Sequence, residues 1–122
     1  MVQLRSIIKS ADNCGAKSLQ VIHIYTGHFH KKGSIGNIAL CVVMEAIPDG
    51  LVKNKEKVRV VIVRSKKEFR RDDGSYIRFS DNAGVIIDSQ NNPRGSRIFG
   101  PIAREIKDLG FTKIASLAKE VY

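Results

Sequence analysis

The chain has no tryptophan, two cysteines, three prolines and eight aromatic rings in 122 residues. Each shortage closes off a class of protein. Cys14 and Cys41 stand far apart and form no C-x-x-C pair, so nothing indicates a disulfide scaffold or a secreted protein. Cys41 lies in the apolar run Leu40-Cys41-Val42-Val43, where a reduced, buried thiol is the plain reading. No apolar run approaches the ~20 residues of a membrane span. Nor is there a long amphipathic, Lys-rich helix to lie on an anionic bilayer, so no membrane partner is expected. The G-x-S-x-G, Walker and dinucleotide signatures are all missing. Acid is the last shortage: twelve Asp and Glu face twenty-one Lys and Arg, a formal net charge of +9.

The excess of base is uneven. Residues 1–71 hold fourteen Lys/Arg against five Asp/Glu, residues 72–100 three against four, and residues 101–122 four against three. One charged face, rather than uniform solubilisation, accounts for such a bias, and nucleic acid is its first candidate partner. The length suits one domain with a single modest core. Met1-Val2-Gln3-Leu4-Arg5 runs directly into a strand pattern without a signal- or transit-peptide profile, as expected of a protein made where it works or seen in mature form.

The stretch from Val58 to Ile87 organises the rest. Val58-Arg59-Val60-Val61-Ile62-Val63 is short, β-branched and almost wholly apolar, which predicts a strand buried on both faces. Arg64-Ser65-Lys66-Lys67-Glu68-Phe69-Arg70-Arg71 follows with five cations, and Asp72-Asp73-Gly74-Ser75 supplies a turn. The chain returns through Tyr76-Ile77-Arg78-Phe79, turns at Ser80-Asp81-Asn82 and re-enters the core as Val85-Ile86-Ile87. A rigid apolar base thus carries positive charge outward on a hairpin arm.

Around it the pattern predicts an opening strand over Val2–Ile8 with Val2, Leu4 and Ile8 on one side, then a tight turn at 11–16. A strand over Leu19–Tyr25 follows, then a loop over Thr26–Ser34 and a strand over Ile35–Met44 whose Gly36 marks a bulge or bend. Many short strands with turns every ~8–12 residues argue for an all-β sandwich or small barrel. The barrel is favoured, since closure removes exposed edges. After the loop at Asn91–Gly95 the period changes. Pro101, the spacing of Ile102, Ile106 and Leu109, and Gly110 predict a helix. Ile114, Leu117, Ala118 and Val121 predict another. The expectation is a single domain, with barrel 1–100 and helical appendix 101–122.

Candidate RNA contacts fall on predicted turns, loops and the arm. They are Asn13, Gly15 and Lys17 near the first turn; His30, Lys31 and Lys32 in the next loop; Lys53 and Lys55 before the central strand; Arg64, Lys66, Lys67, Arg70 and Arg71 on the arm; Arg78 on its return; and Arg94 and Arg104 beyond. Lys and Arg neutralise phosphates, and glycines beside them (Gly15, Gly33, Gly95) would let backbone N–H groups approach. Tyr76 and Phe79, three apart, would face opposite sides of a regular strand. With no RNP-like aromatic pair, structured RNA held by its backbone is expected rather than a single strand on stacked rings. Phe99 and Phe111 read as anchors for the appendix. His28-x-His30 with His23 and Cys14 fits no common zinc spacing, and Cys14 carries no nucleophile signature. No metal, cofactor or enzymatic activity is expected.

Laid out this way, the chain resembles the universal large-subunit ribosomal protein fourteen family in its bacterial and organellar form. The carriers run nearly end to end: Ala11-Asp12-Asn13-x-Gly15-Ala16, Glu45-Ala46-Ile47-Pro48, Val61-Ile62-Val63-Arg64-x-Lys66-Lys67, Arg70-Arg71-x-Asp73-Gly74-Ser75, Ile77-Arg78-Phe79-x-x-Asn82-Ala83, Arg97-Ile98-Phe99-Gly100-Pro101, Arg104-Glu105 and Ser116-Leu117-Ala118-x-Glu120-Val121. The resemblance implies a five-stranded β-barrel with a C-terminal loop-helix region, bound to large-subunit rRNA beside large-subunit proteins three and nineteen. It further implies intersubunit bridges to small-subunit rRNA, and docking of a ribosomal silencing factor on the C-terminal side. Ser96, Arg97 and Lys113 are the candidates for that surface. Cys14 stands where the family usually has Ser, Asp72 and Lys119 where Pro is common, and Ser96 where Thr is common. Fifteen Ile against six Leu, with many Lys and Asn, hints at an AT-rich genome. That leans towards a mitochondrial ribosome, then a plastid, then a bacterium.

Overall fold

In the computed structural model, which describes residues 2–25 and 32–122, five strands close into a barrel in the order β2-β3-β5-β6-β9. These are β2 (Ile7–Ser10), β3 (Ala16–Ile24), β5 (Ile38–Ala46), β6 (Lys57–Arg64) and β9 (Ala83–Ile87). Neighbours pair antiparallel except β2 and β9, which run parallel with Lys9 opposite Ala83 and close the wall. Two small ribbons are added. β1 (Val2–Gln3) pairs with β4 (Lys32–Gly33), and β7 (Phe69–Arg70) pairs with β8 (Tyr76–Ile77) to form the arm.

The run of β-branched residues in β6 has a direct cause, because the strand separates two cores. Val58, Val60 and Ile62 point into the barrel with Leu19, Val21, Cys41 and Ile86. Val61 and Val63 point the other way, into a second cluster with Val85, Ile87, Ile98, Ile102, Ile106, Phe111 and Ile114. Alternating side chains that are apolar on both sides are what a wall between two cores requires. The second cluster lies under the appendix, which carries α1 (Glu105–Asp108) and α2 (Thr112–Leu117).

Three expectations need correction. The opening strand is broken: Leu4 and Arg5 form a turn, Arg5 takes φ 70°, and Leu4 is 47% exposed instead of sharing a face with Val2 and Ile8. The third strand begins at Ile38, because Gly36 at φ +90° belongs to a turn that Asn37 closes by accepting the Ser34 N–H at 2.7 Å. The first helix does not start at Pro101. Ile102 instead pairs with Val121 across a parallel bridge, donating to the Glu120 carbonyl and accepting from Tyr122 N–H. Extended pairing satisfies the backbone there, so only one helical turn remains, and Leu109 is left 58% exposed. Among the described residues no helix is long and apolar enough to cross a membrane.

Candidate nucleic-acid interface

The arm leaves the barrel where β6 ends, and its root is tied down. Lys66 N–H donates to Asn82 Oδ1 at 2.9 Å, and Lys67 N–H to Ser65 Oγ at 3.3 Å. At the tip Asp73 Oδ1 accepts from Ser75 N–H at 2.9 Å and from Ser75 Oγ at 2.6 Å, which holds its carboxyl below the usual range. Gly74 takes φ +88° in that turn. On this fixed frame Lys66, Lys67, Arg70 and Arg78 are exposed. Lys66 and Arg78 line one shallow cleft of about 410 Å³ with Phe79 and Ser80.

The other two arginines of the arm face inward. Arg64 is 8% exposed; its Nε donates to Asp81 Oδ1 at 2.9 Å, and its Nη1 donates to the carbonyls of Phe99 at 2.8 Å and Pro101 at 3.2 Å. Gly100, at φ +81°, leaves the space for it, since a Cβ there would sit 2.3 Å from Arg64 Nη1. Arg71 forks onto Glu105 at 2.6 and 3.3 Å and also donates to the Tyr122 backbone oxygen. Both guanidiniums therefore tie the arm to the appendix. Concentrated positive charge marked this stretch in sequence, but which cations face inward depends on Asp81, Glu105 and carbonyls at least 17 residues away.

A second group of cations lies at the far end of β6, roughly 23 Å away at ~3.3 Å per strand residue. Lys53, Lys55 and Lys57 are exposed in and after the β5–β6 turn, where Lys55 takes φ 65° and donates its N–H to Val43 O. Lys17 is exposed at the start of β3, near the same end. Arg94 reaches Leu51 O at 3.5 Å and Glu56 at 4.0 Å, which leaves it half-exposed. Lys32 is exposed on β4 and Arg104 is exposed before α1, while His30 and Lys31, like His28, lie outside the described residues. The structure thus separates the arm from the Lys53–Lys57 turn instead of merging them into one patch.

The first-turn motif has internal duties. Asp12, 4% exposed, accepts from Ser10 Oγ at 2.7 Å, Ile86 N–H at 3.0 Å and Cys14 Sγ at 3.3 Å. Burial, with Asp12 beside it, pushes the Cys14 thiol up to about 12, and burial alone does the same for Cys41. A thiol so held is protonated and inert at neutral pH. Gly15, at φ +98°, packs against the Pro48–Gly50 turn, and a Cβ on it would lie 2.8 Å from Gly50 Cα. Gly33 is buried against Ile62 and Ile24. The chain demands these two glycines for packing, whatever lies outside. Asn13 bonds to Ser96 and Arg97, and Arg97 lies 5.5 Å over the ring of Phe99. Phe99 is half-exposed and only Phe111 is buried as an anchor. Lys113 is exposed on α2 beside buried Ile114.

The aromatic reading also changes. β8 is only Tyr76–Ile77, and Phe79 N–H turns back to Ser65 O. Tyr76 and Phe79 therefore line the same cleft, of about 440 Å³, with Tyr122, Arg71 and Arg78. No group of three His, Cys, Asp or Glu side chains suited to a metal ion occurs among the described residues.

The ribosomal protein L14p/L23e family matches residues 1–122. Large ribosomal subunit protein uL14 of Petrotoga mobilis (strain DSM 10674 / SJ95) is 55% identical over 122 residues, covering 100% of both chains. That relative is bacterial, so the compositional lean towards a mitochondrion gains nothing from it. The match runs over the whole length: the chain belongs to the ribosomal protein L14p/L23e family, as a bacterial-type member, structural and not enzymatic.

Proposed function

We propose that this chain is a structural constituent of the large ribosomal subunit, held on large-subunit rRNA by the exposed cations of the arm and of the opposite end of the barrel. The observation that carries the reading is the division of labour among the arm's cations. Arg64 and Arg71 lock the arm to the body, while Lys66, Lys67, Arg70 and Arg78 remain free to face solvent on a rigid frame. A hairpin held this firmly presents charge with little entropy left to lose, which favours a fixed polyanion. Lys17, Lys53, Lys55 and Arg94 form the second contact region, with His30, Lys31, Lys32 and Arg104 as further contacts.

Ser96, Arg97 and Lys113 form the surface that meets small-subunit rRNA or a ribosomal silencing factor. Ile98 and Ile114 share the second core, so the residues just before them, Arg97 and Lys113, are carried on one rigid body. Large-subunit proteins three and nineteen are the expected neighbours. The ribosome is the site of action, with a bacterial cytoplasm the setting that the relative supports and an organelle the alternative. No cofactor is required.

Replacing Lys66, Lys67, Arg70 and Arg78 with Ala tests the anchor. Folding should be retained, because all four side chains are exposed. Binding to large-subunit rRNA should weaken, and the log–log salt slope should fall by roughly 0.7–0.9 per phosphate contact removed. An unchanged slope would mean the arm is merely solvated, and the RNA face would then be sought at Lys53 and Lys55.

A further inference from the structure

We infer that Asn13 is a positioning residue that pre-forms the Ser96–Arg97 edge, and not itself an RNA contact. The inference rests on the reading of that edge as the surface facing the other subunit or a silencing factor.

A carboxamide offers two lone pairs on oxygen and two N–H donors. Both lone pairs of Asn13 are taken from within the protein: Oδ1 accepts the Ser96 N–H at 2.9 Å and the Arg97 N–H at 3.2 Å. One donor is also taken, since Nδ2 donates to Ser96 Oγ at 3.0 Å. Gly95 lets the carboxamide come this close, because a Cβ there would sit 2.6 Å from Asn13 Oδ1. The neighbouring residues work in the same direction. Asp12 forms an antiparallel bridge to Ile98, and Phe99 N–H donates to Ala11 O at 2.6 Å. Three consecutive residues of the first turn therefore fix four consecutive residues more than eighty positions away.

The consequence falls on Arg97. Its backbone is held by Asn13, and its guanidinium lies over the Phe99 ring, whose own carbonyl is pinned by Arg64. Without Asn13, the two N–H groups would turn to water and the peptide plane before Arg97 would be free to rotate. An exposed cation on a loosened loop still carries its charge, but it loses the fixed direction that recognition of a rigid partner needs.

The experiment compares Asn13→Ala, Asn13→Asp and Arg97→Ala in the full chain. Three readouts apply: amide exchange at Ser96 and Arg97 in the free protein, incorporation into large subunits, and subunit joining at graded magnesium. Asn13→Asp keeps an acceptor for both N–H groups and adds a negative charge. If Asn13 positions the edge, Asn13→Ala should speed exchange at Ser96 and Arg97 roughly tenfold. It should also incorporate like wild type and join subunits several-fold less well. Asn13→Asp should restore most of the protection and the joining. If Asn13 contacts phosphate, incorporation would instead rank wild type above Ala and Ala above Asp, which overturns the inference. Joining that is unaffected by Arg97→Ala would sink the subunit-facing reading alone. The exchange result would still decide for Asn13: protection lost in the Ala variant upholds positioning, and protection unchanged refutes it.

Discussion

Arg71 and Glu105 lie 34 residues apart in sequence and meet through two hydrogen bonds, Nε to Oε1 at 2.6 Å and Nη2 to Oε2 at 3.3 Å. With side chains only 15% and 19% exposed, the pair is shielded from bulk screening. It joins the tip side of the arm to α1, while Arg64 joins the arm's root to the 99–101 segment. Removing one partner strands the other in a half-buried setting. Arg71→Ala should therefore destabilise the fold by about 1–3 kcal/mol, against within ±0.5 kcal/mol for exposed Arg70→Ala. Urea denaturation of both variants decides it, and equal midpoints would remove the clamp.

The two thiols give a pH signature. Cys14 and Cys41 are raised to about 12 in the folded chain, from an ordinary value of 9.0. A folded-state value above the unfolded one means that the native state holds protons the unfolded state has released. The stability these thiols contribute is complete below pH 9 and is lost as pH climbs from 9 towards 12. Cys14→Ser keeps a hydroxyl donor for Asp12 and removes the titration. The variant should therefore lose less stability than wild type between pH 9 and 12, as read from thermal midpoints. Parallel pH curves would contradict it.

Two glycines at positive φ separate packing from turn geometry. Gly15 has Gly50 backbone within 2.8 Å of where a Cβ would sit, whereas Gly74 has nothing within 4 Å. Gly74→Ala carries only left-handed strain, about 1 kcal/mol. Gly15→Ala adds a backbone clash and should cost at least about 2 kcal/mol more, since neither turn can yield alone. Chemical denaturation would show the gap, and equal losses would mean that the 48–50 turn gives way freely.

Much of the fold was legible in sequence because local chemistry dictated it. The β-branched run at 58–63 and the Asp-Gly turn of the arm appear where they were expected. The two faces of β6 could be read as buried, but not that they serve different cores, since that depends on where Ile102, Ile106 and Ile114 return. The failed helix at Pro101 has the same origin. Its spacing of apolar residues was helical, and a strand-like partner at Val121, invisible locally, took its hydrogen bonds. At the candidate site the charges were readable and their directions were not. Arg64 and Arg70 look alike in sequence, and only Asp81 and the 99–101 carbonyls separate an internal tie from an exposed cation.

The parallel pairing that closes the wall also sets an order of events during synthesis. β2 ends at Ser10, but its partner across the seam begins at Ala83. At roughly 5–20 residues per second, several seconds of elongation separate the two. For that interval β2, β3, β5 and β6 can pair with one another, yet the strips of unpaired N–H and C=O on β2 and β6 have nothing to close against. Contacts this distant in sequence slow folding, because loop closure must precede any reward from packing. No closed barrel can form before Ile87 is made and can meet Arg59, so any earlier pairing among these four strands leaves both seam edges and the inner apolar face open.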